Sequence, residues 1–393
     1  MNLKLLKHYQ KSNSILLDDT RILETEYHKS KYGVYQNVRY FIYDISANTR
    51  EEILPHVYKI DVFRIVNAQY HSNRIYFVQY LASDERLQLI SYDYQTKDLS
   101  ILYTVKGRIE ELFTDEHFTF FILNETYMII QREFKKEGVP EEYTGFLAYE
   151  SVLYQIPEQK SCPIIDENLV NNGMIDMIPV TENQVILKLG YDLMTDKRYQ
   201  FMNKMNASVE SINLVNVSQL ISDLTLKQNG IILNSLDQAF YKQTMPCIEV
   251  SEDYLIYTKI DLEQMQELTT FYNLNTKDGY ACLNKHFGRN GKYTKALIID
   301  DKPYVRLNKE KKTDFYNLKS KKIDFSLYND RVINNIIGDL VILTESKKSA
   351  FRKTKDYICI YRYPSMNLMH CEKGTYLGSL YRKESDTLFI MLD

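Results

Sequence analysis

The sequence predicts an all-β fold built from stacked hairpins, and two observations support this prediction. One short pattern occurs seven times: an aromatic residue, a polar residue, an apolar residue, a few turn-forming residues and a second extended run. The chain also holds 33 Tyr and 17 Phe, whose flat rings pack well on half-buried strands. Because a single hairpin cannot bury its own apolar face, each copy must stack on its neighbours. The copies begin at Tyr43, Tyr92, Tyr154, Tyr191, Tyr272, Tyr316 and Tyr361.

The clearest repeat unit lies between residues 61 and 105 and contains four strands, A to D, joined by turns rich in Asn, Asp and Ser. This unit resembles a blade of the β-propeller superfamily, and the resemblance extends over almost the whole chain. The Trp-Asp pair of WD repeats, the Gly-Gly pairs of kelch repeats and the Asp-box of sialidases are absent, so no named family follows. The predicted strands are 61–69 (A), 73–80 (B), 86–94 (C) and 99–105 (D).

The seven hairpins predict a propeller of seven four-stranded antiparallel blades, with eight blades as the alternative. Eight segments resemble a B strand, one more than the number of hairpins. We expect one domain over residues 1–393, in which residues 375–393 complete a blade together with the N-terminal strand and so remove open sheet edges. The B-like segments are 20–27, 73–80, 117–123, 184–189, 254–260, 303–307, 340–344 and 387–392.

One region interrupts the strand pattern. Apolar residues between 205 and 225 recur at helical spacing, which predicts a helical insertion in the propeller. Asn206 or Ser208 is the expected N-cap of this helix. The alternative is an irregular strand rich in Val and Ile. The apolar positions are Val209, Ile212, Val217, Leu220, Ile221 and Leu224.

The cysteines and termini favour a cytoplasmic protein. The five cysteines are odd in number and lack close pairing, which indicates reduced thiols. The first 14 residues contain no apolar core of a signal peptide, and no apolar run is long enough to span a membrane. The seven histidines show no metal-ligand spacing, and no cofactor motif is present. We therefore expect neither a metal nor a cofactor.

Paired or repeated acidic residues are interpreted as turn residues rather than as catalytic groups. Asp18-Asp19 and Asp300-Asp301 fall where A–B turns are expected, and Asp is a standard turn residue. An acidic residue also recurs directly after the hairpin Tyr. Its repetition at equivalent positions of the blades indicates a structural rather than a catalytic role. These recurrent residues are Asp44, Asp93 and Asp192.

The long connections and the positive charge point to one end of the blades. B–C and D–A connections lie at the same end of each blade, and the long segments 134–145, 284–295, 308–313 and 345–356 are all of these two kinds. Residues 285–355 hold 18 Lys and Arg against 8 Asp and Glu. Long loops on a rigid scaffold are common binding sites, so this basic surface is the predicted one. Its residues are Arg289, Lys292, Lys309, Lys311, Lys312, Lys347, Lys348, Arg352, Lys353 and Lys355.

These observations predict an intracellular interaction module that binds a protein partner through the basic loop face. The charge of this face suits a partner with an acidic segment. One alternative is a propeller enzyme that acts on a glycan or peptide through its central channel. A second alternative is nucleic-acid binding through the basic loops, although the cluster contains mainly Lys rather than Arg. No catalytic residue is predicted. The positions considered for the channel are Asp61, Arg64, Asn67, Glu111, Asn334 and Asn335.

Overall fold

The computed structural model describes most of the chain as two compact units. One unit is Ser12–Tyr241, and the other combines Met1–Lys11 with Lys242–Asp393. Strands are numbered along the chain from β1 (Asn2–Lys7). The described residues are 2–7, 13–29, 36–55, 59–61, 69–81, 83–106, 116–135, 147–164, 173–190, 210–226, 233–240, 242–284, 296–328, 330–348 and 354–393.

The unit Ser12–Tyr241 contains blades one to four, each with four antiparallel strands in chain order. An additional short strand, β6, pairs with both β4 and β8 and joins blades one and two into one nine-stranded sheet. The strands of this unit are β2 (Asn13–Leu16), β3 (Arg21–Lys29), β4 (Gln36–Asp44), β5 (Thr49–Glu52), β6 (Lys59–Asp61), β7 (Gln69–His71), β8 (Arg74–Leu81), β9 (Arg86–Asp93), β10 (Leu99–Lys106), β11 (Glu116–Ile122), β12 (Tyr127–Lys135), β13 (Leu147–Gln155), β14 (Lys160–Pro163), β15 (Gly173–Thr181), β16 (Gln184–Gly190), β17 (Glu210–Asn216) and β18 (Asn234–Ala239).

The second unit contains blades five to eight. Among the described residues, blade eight has three strands, and its third strand, β1, lies parallel to β32 with Asn2 opposite Thr387 and Lys7 opposite Leu392. The other strands of this unit are β19 (Gln243–Ser251), β20 (Tyr254–Asp261), β21 (Gln266–Asn273), β22 (Gly279–Asn284), β23 (Ala296–Ile299), β24 (Lys302–Asn308), β25 (Lys312–Asn317), β26 (Lys322–Tyr328), β27 (Arg331–Ile337), β28 (Leu340–Lys348), β29 (Thr354–Arg362), β30 (Asn367–Lys373), β31 (Tyr376–Arg382) and β32 (Thr387–Leu392).

The prediction of seven blades is wrong, because the described strands form eight. Six of the seven Tyr-containing copies are C–D hairpins, but two blades have no such hairpin. Blade eight takes its third strand from the N-terminus, and blade four has a helix between its third and fourth strands. The copy at Tyr191 follows the second strand of blade four and lies outside the described residues. Counting hairpins therefore misses a blade.

The helical insertion is shorter than predicted. Helix α1 spans Val217–Thr225, and Asn216 caps it by accepting a 2.9 Å hydrogen bond from the backbone amide of Gln219. Residues 210–216 instead form β17, which pairs along its whole length with β16. The apolar positions in this stretch fit both a helix and a strand, and the free edge of β16 selects the strand. The predicted caps Asn206 and Ser208 lie outside the described residues.

The recurrent acidic residue after the hairpin Tyr stabilises the turn at Asp44 and Asp93, as predicted, whereas Asp192 lies outside the described residues. The side chain of Asp44 accepts hydrogen bonds of 2.8 Å from the backbone amides of Ser46 and Ala47. Asp93, Asn273 and Asn317 accept equivalent pairs from residues two and three positions later. Short carboxylate and amide side chains favour this turn geometry. Asp18-Asp19 and Asp300-Asp301 also lie in A–B turns, as expected.

The core lies between neighbouring blades rather than within a single sheet. In the unit Ser12–Tyr241, Phe77 and Ile90 of blade two pack with Leu23 and Tyr40 of blade one. In the second unit, blades five to eight are joined by similar clusters, one of which contains Phe315 of blade six. Blades two, three, six and seven therefore bury both faces, which explains why their strands are largely apolar without strict alternation.

The expectation of five unpaired cysteines is not met. Cys359 on β29 and Cys371 on β30 are opposite each other across the ladder and form a disulfide. The two residues are twelve positions apart in the sequence, and only the pairing of β29 with β30 brings them together. Cys162, Cys247 and Cys282 are free.

Candidate binding face

Of the predicted basic residues, those that the structure describes lie at the B–C ends of blades six and seven. Lys309, Lys311 and Lys312 belong to a tight turn between β24 and β25, closed by a 2.8 Å backbone bond from Lys309 to Lys312, so the predicted long loop at 308–313 is absent. Lys347 and Lys355 face each other across β28 and β29. The side chain of Lys348, and all of Arg289, Lys292, Arg352 and Lys353, lie outside the described residues.

A buried carboxylate anchors the basic residues of blade six. Asp314 lies on β25 and is completely buried. Its carboxylate contacts the ammonium groups of Lys309 and Lys312, the second at 3.0 Å, and it accepts a hydrogen bond from the hydroxyl of Ser326. These contacts hold the pKa of Asp314 well below its usual range. Lys309 and Lys312 remain 53% and 43% exposed, so their positions are fixed while their charges face solvent.

Blade seven repeats this arrangement with Glu345. This buried carboxylate on β28 lies 3.2 Å from the guanidinium Nε of Arg331 and 3.8 Å from the ammonium of Lys347. The hydroxyl of Tyr361 donates a hydrogen bond to the carboxylate. Burial, together with this bond and the negative charge, raises the pKa of Tyr361 to about 12. Glu345 thus holds two cations at the same end of its blade as Asp314 does.

Aromatic rings support both cations of blade seven. The ammonium of Lys347 lies 4.9 Å from the ring centroid of Tyr357, and the guanidinium of Arg331 lies 5.8 Å from that of Tyr361. A cation above an aromatic face is attracted by the ring quadrupole. The ring contact leaves the Lys347 side chain 62% exposed. We refer to Lys309, Lys312, Arg331 and Lys347, with Asp314 and Glu345 beneath them, as the basic face.

The basic face can hold negatively charged groups of a partner. Each carboxylate is accompanied by two cations, so each cluster retains one net positive charge. Lys binds as a point charge and imposes less geometry than the bidentate fork of Arg. The sequence analysis identified the lysines but missed the carboxylates. A signal was available, because Lys312 with Asp314 and Glu345 with Lys347 are two positions apart and therefore share a strand face.

A separate polar cluster lies on the innermost strands of blades seven and eight. The side-chain amide of Asn335 donates to the hydroxyl of Ser379 at 2.8 Å, and Ser379 is 2.7 Å from the hydroxyl of Tyr376. Asn334 donates to Thr344 at 2.8 Å. These bonds join one strand to the next, so they have a structural role. Of the other channel positions, Arg64, Asn67, Glu111 and the side chain of Asp61 lie outside the described residues.

The described residues contain no group of three or more His, Cys, Asp or Glu side chains placed to hold a metal ion. Among the same residues, no helix has the length and apolar character needed to cross a membrane.

Comparison with known proteins identifies the fold. No family model matches the sequence, and no curated protein gives a significant match. Among solved structures, Porphyromonas gingivalis dipeptidyl peptidase 4 is similar over 93% of this chain and 55% of its own, at 9% identity and a TM-score of 0.54. This chain has the β-propeller fold. It spans about half the length of that peptidase chain.

Two other solved structures are similar at lower scores. The β-propeller domain of the trilobed protease from Pyrococcus furiosus matches 91% of this chain and 95% of its own, at 10% identity and a TM-score of 0.41. An oligogalacturonate lyase matches 90% of this chain and 97% of its own, at 10% identity and a TM-score of 0.45.

Proposed function

We propose that this propeller binds polypeptide segments that carry acidic residues, and that the basic face is the binding site. The observation that supports this proposal is the presence of two buried carboxylates, Asp314 and Glu345, each of which fixes two exposed cations at the same end of neighbouring blades. A side chain that is already held in place loses less conformational entropy when it binds a partner. Scattered solvated lysines would lack such anchors.

Catalysis on peptides is the second candidate function. Dipeptidyl peptidase 4, which shares the fold of this chain, is named as a peptidase. This similarity in fold favours polypeptide as the kind of polymer that the propeller binds. It also supports the enzyme alternative that acts through the central channel, which the sequence raised beside the interaction module.

The binding proposal is tested with a fluorescent peptide of alternating Glu and Ser, followed by anisotropy. Replacing Lys309, Lys312, Lys347 and Lys355 together with Gln should weaken binding by about tenfold or more, because each exposed ion pair contributes about 0.2–1 kcal/mol. The matched control replaces four exposed lysines at the other ends of their blades with Gln. These control positions are Lys97, Lys160, Lys277 and Lys383.

Four outcomes separate the candidates. Equal binding by both quadruple variants, or tighter binding of a single-stranded oligonucleotide than of the acidic peptide, would contradict the proposal. Equal affinity for a peptide with Gln in place of Glu would also contradict it. Cleavage products of the peptide, detected by mass spectrometry after incubation with the intact chain, would support the enzyme alternative.

A further inference from the structure

A cleft of about 250 Å³ lies between blades two and three, within the unit Ser12–Tyr241. One wall is the outer strand β10, and the other is formed by β12 and β13. The cleft contains none of the residues of the basic face. Pockets for drug-sized ligands occupy roughly 300–1,000 Å³, so this cleft suits a smaller molecule.

Strand register arranges the wall of blade three as two rows. Ile130 on β12 is directly opposite Val152 on β13, and Arg132 is directly opposite Glu150. All four residues line the cleft. Because residues two apart on a strand share a face, an apolar row lies beside a charged row. The apolar row suits a short aliphatic stem, and the charged row suits a polar headgroup.

A β-bulge directs the opposite wall towards blade three. The register of β10 shifts between Ile101 and Tyr103, and such bulges re-aim the side chains that follow. The ring of Tyr103 packs edge-on against Tyr154 at 6.2 Å, and the hydroxyl of Tyr154 donates to the carbonyl of Leu102. These contacts fix β10 against blade three, so the cleft has a defined width.

The charges in the cleft favour an anion. Lys106 on β10 and Arg132 on β12 provide two cations, and Glu150 provides one carboxylate. Burial and the negative charge of Glu150 raise the pKa of the Tyr103 phenol, while the positive charge of Arg132 opposes this shift. Two cations suit a carboxylate, and Glu150 can accept a bond from a nearby amine.

We propose that this cleft binds an α-carboxylate next to a short aliphatic side chain. The chemistry is shared by two sources, a free aliphatic amino acid and the C-terminal residue of a peptide. Arg132 and Lys106 hold the carboxylate, Ile130 and Val152 contact the aliphatic side chain, and Glu150 accepts the amine when it is free. This site is separate from the basic face and does not depend on the proposed function.

Titration calorimetry on the intact chain tests the proposal with leucine, N-acetyl-leucine, leucine amide and the tetrapeptide Ala-Ala-Ala-Leu. The ligands with a free carboxylate should bind, and leucine amide should not. Arg132→Gln should weaken leucine binding by about tenfold or more, because a charge-assisted hydrogen bond to the carboxylate is lost. Arg362→Gln removes an exposed arginine of blade seven and should leave the affinity unchanged.

Further variants keep the test independent of folding. Lys106 is exposed, so Lys106→Gln should fold normally and should still weaken carboxylate binding. Glu150→Gln should reduce the preference for leucine over N-acetyl-leucine. Tighter binding of the tetrapeptide than of leucine assigns the site to peptide C-termini, and the reverse assigns it to free amino acids. Absence of binding by every probe, equal binding of leucine amide, or unchanged affinity in both Arg132→Gln and Lys106→Gln would overturn the proposal.

Discussion

Single residues decide how the charged side chains of this propeller are placed. Buried carboxylates are costly unless cations or hydrogen-bond donors compensate them. For Asp314 and Glu345, basic side chains meet this requirement. Each of these basic side chains compensates a buried carboxylate and also reaches solvent. The net charge of residues 285–355 could be counted from the sequence. The pairing of each carboxylate with two cations could be seen only from the positions of β24, β25, β27 and β28 in the structure.

The depressed pKa of Asp314 predicts a pH-dependent stability. A carboxylate whose folded pKa lies below its unfolded value stabilises the fold above the unfolded pKa, so this contribution should be lost progressively as pH falls below about 4 and through the folded pKa. Asp314→Asn should therefore destabilise the protein at neutral pH and flatten the acid limb of its stability curve. Urea denaturation at a series of pH values measures both effects.

A variant that keeps Asp314 provides the control. Replacing Lys309 and Lys312 with Gln leaves the carboxylate in place and removes the cations that lower its pKa. This double variant should also show a flatter acid limb. An acid limb in Asp314→Asn that is as steep as in the wild type would show that Asp314 is not responsible.

A buried hydroxyl network between blades six and seven gives a second residue-scale prediction. Tyr304 donates to the carboxylate of Asp324 at 2.6 Å, accepts from the amide of Asn317 at 3.2 Å and lies 2.6 Å from the hydroxyl of Tyr363. Tyr304→Phe removes its hydroxyl from this network, while Asn317 and Tyr363 still donate to Asp324, so it should lower the free energy of unfolding by about 0.5–1.5 kcal/mol. Chemical denaturation measures the change. Tyr328→Phe, at a 68% exposed position, should change it far less.

At the scale of secondary structure elements, local sequence predicts turns better than it predicts the type of segment between them. The hairpins at Tyr43, Tyr92, Tyr272 and Tyr316 contain their own turn chemistry, because an Asp or Asn side chain accepts the backbone amides of the turn. The stretch 210–216 contains no such local signal. Pairing with β16 makes it a strand, although its apolar spacing also fits a helix.

The capping of α1 can be tested directly. Asn216 accepts a hydrogen bond from the amide of Gln219, so Asn216→Ala should lower the free energy of unfolding by about 1 kcal/mol. Asn216→Asp retains an acceptor and should stay close to the wild type. Thermal denaturation of the three proteins provides the comparison. Equal losses in both variants would assign the effect to something other than the cap.

At the scale of the whole molecule, β1 connects the beginning of the chain to its end. It pairs along its whole length with β32, buries Leu6, and places Lys7 2.8 Å from the carboxylate of Glu372. Without β1, one edge of β32 would offer unpaired backbone groups to other chains.

Deletion of residues 1–7 should therefore lower the melting temperature and cause association that increases with protein concentration. Differential scanning calorimetry and light scattering measure the two effects. Asn2→Ser keeps the strand and should leave both unchanged, since Asn2 is exposed on β1. A deletion variant that melts at the wild-type temperature and stays monodisperse would show that β1 is dispensable.

The sequence by itself determined that the chain is a repeated all-β protein, because aromatic strands and Asp- or Asn-containing turns act over a few neighbouring residues. The tertiary structure alone decided what depends on distant segments. Blade eight requires β1 and β32 to meet, the Cys359–Cys371 bond requires the register of two strands, and the cleft at Arg132 requires two blades to pack. Such contacts leave little trace in local patterns, since their partners are set by packing rather than by proximity along the chain.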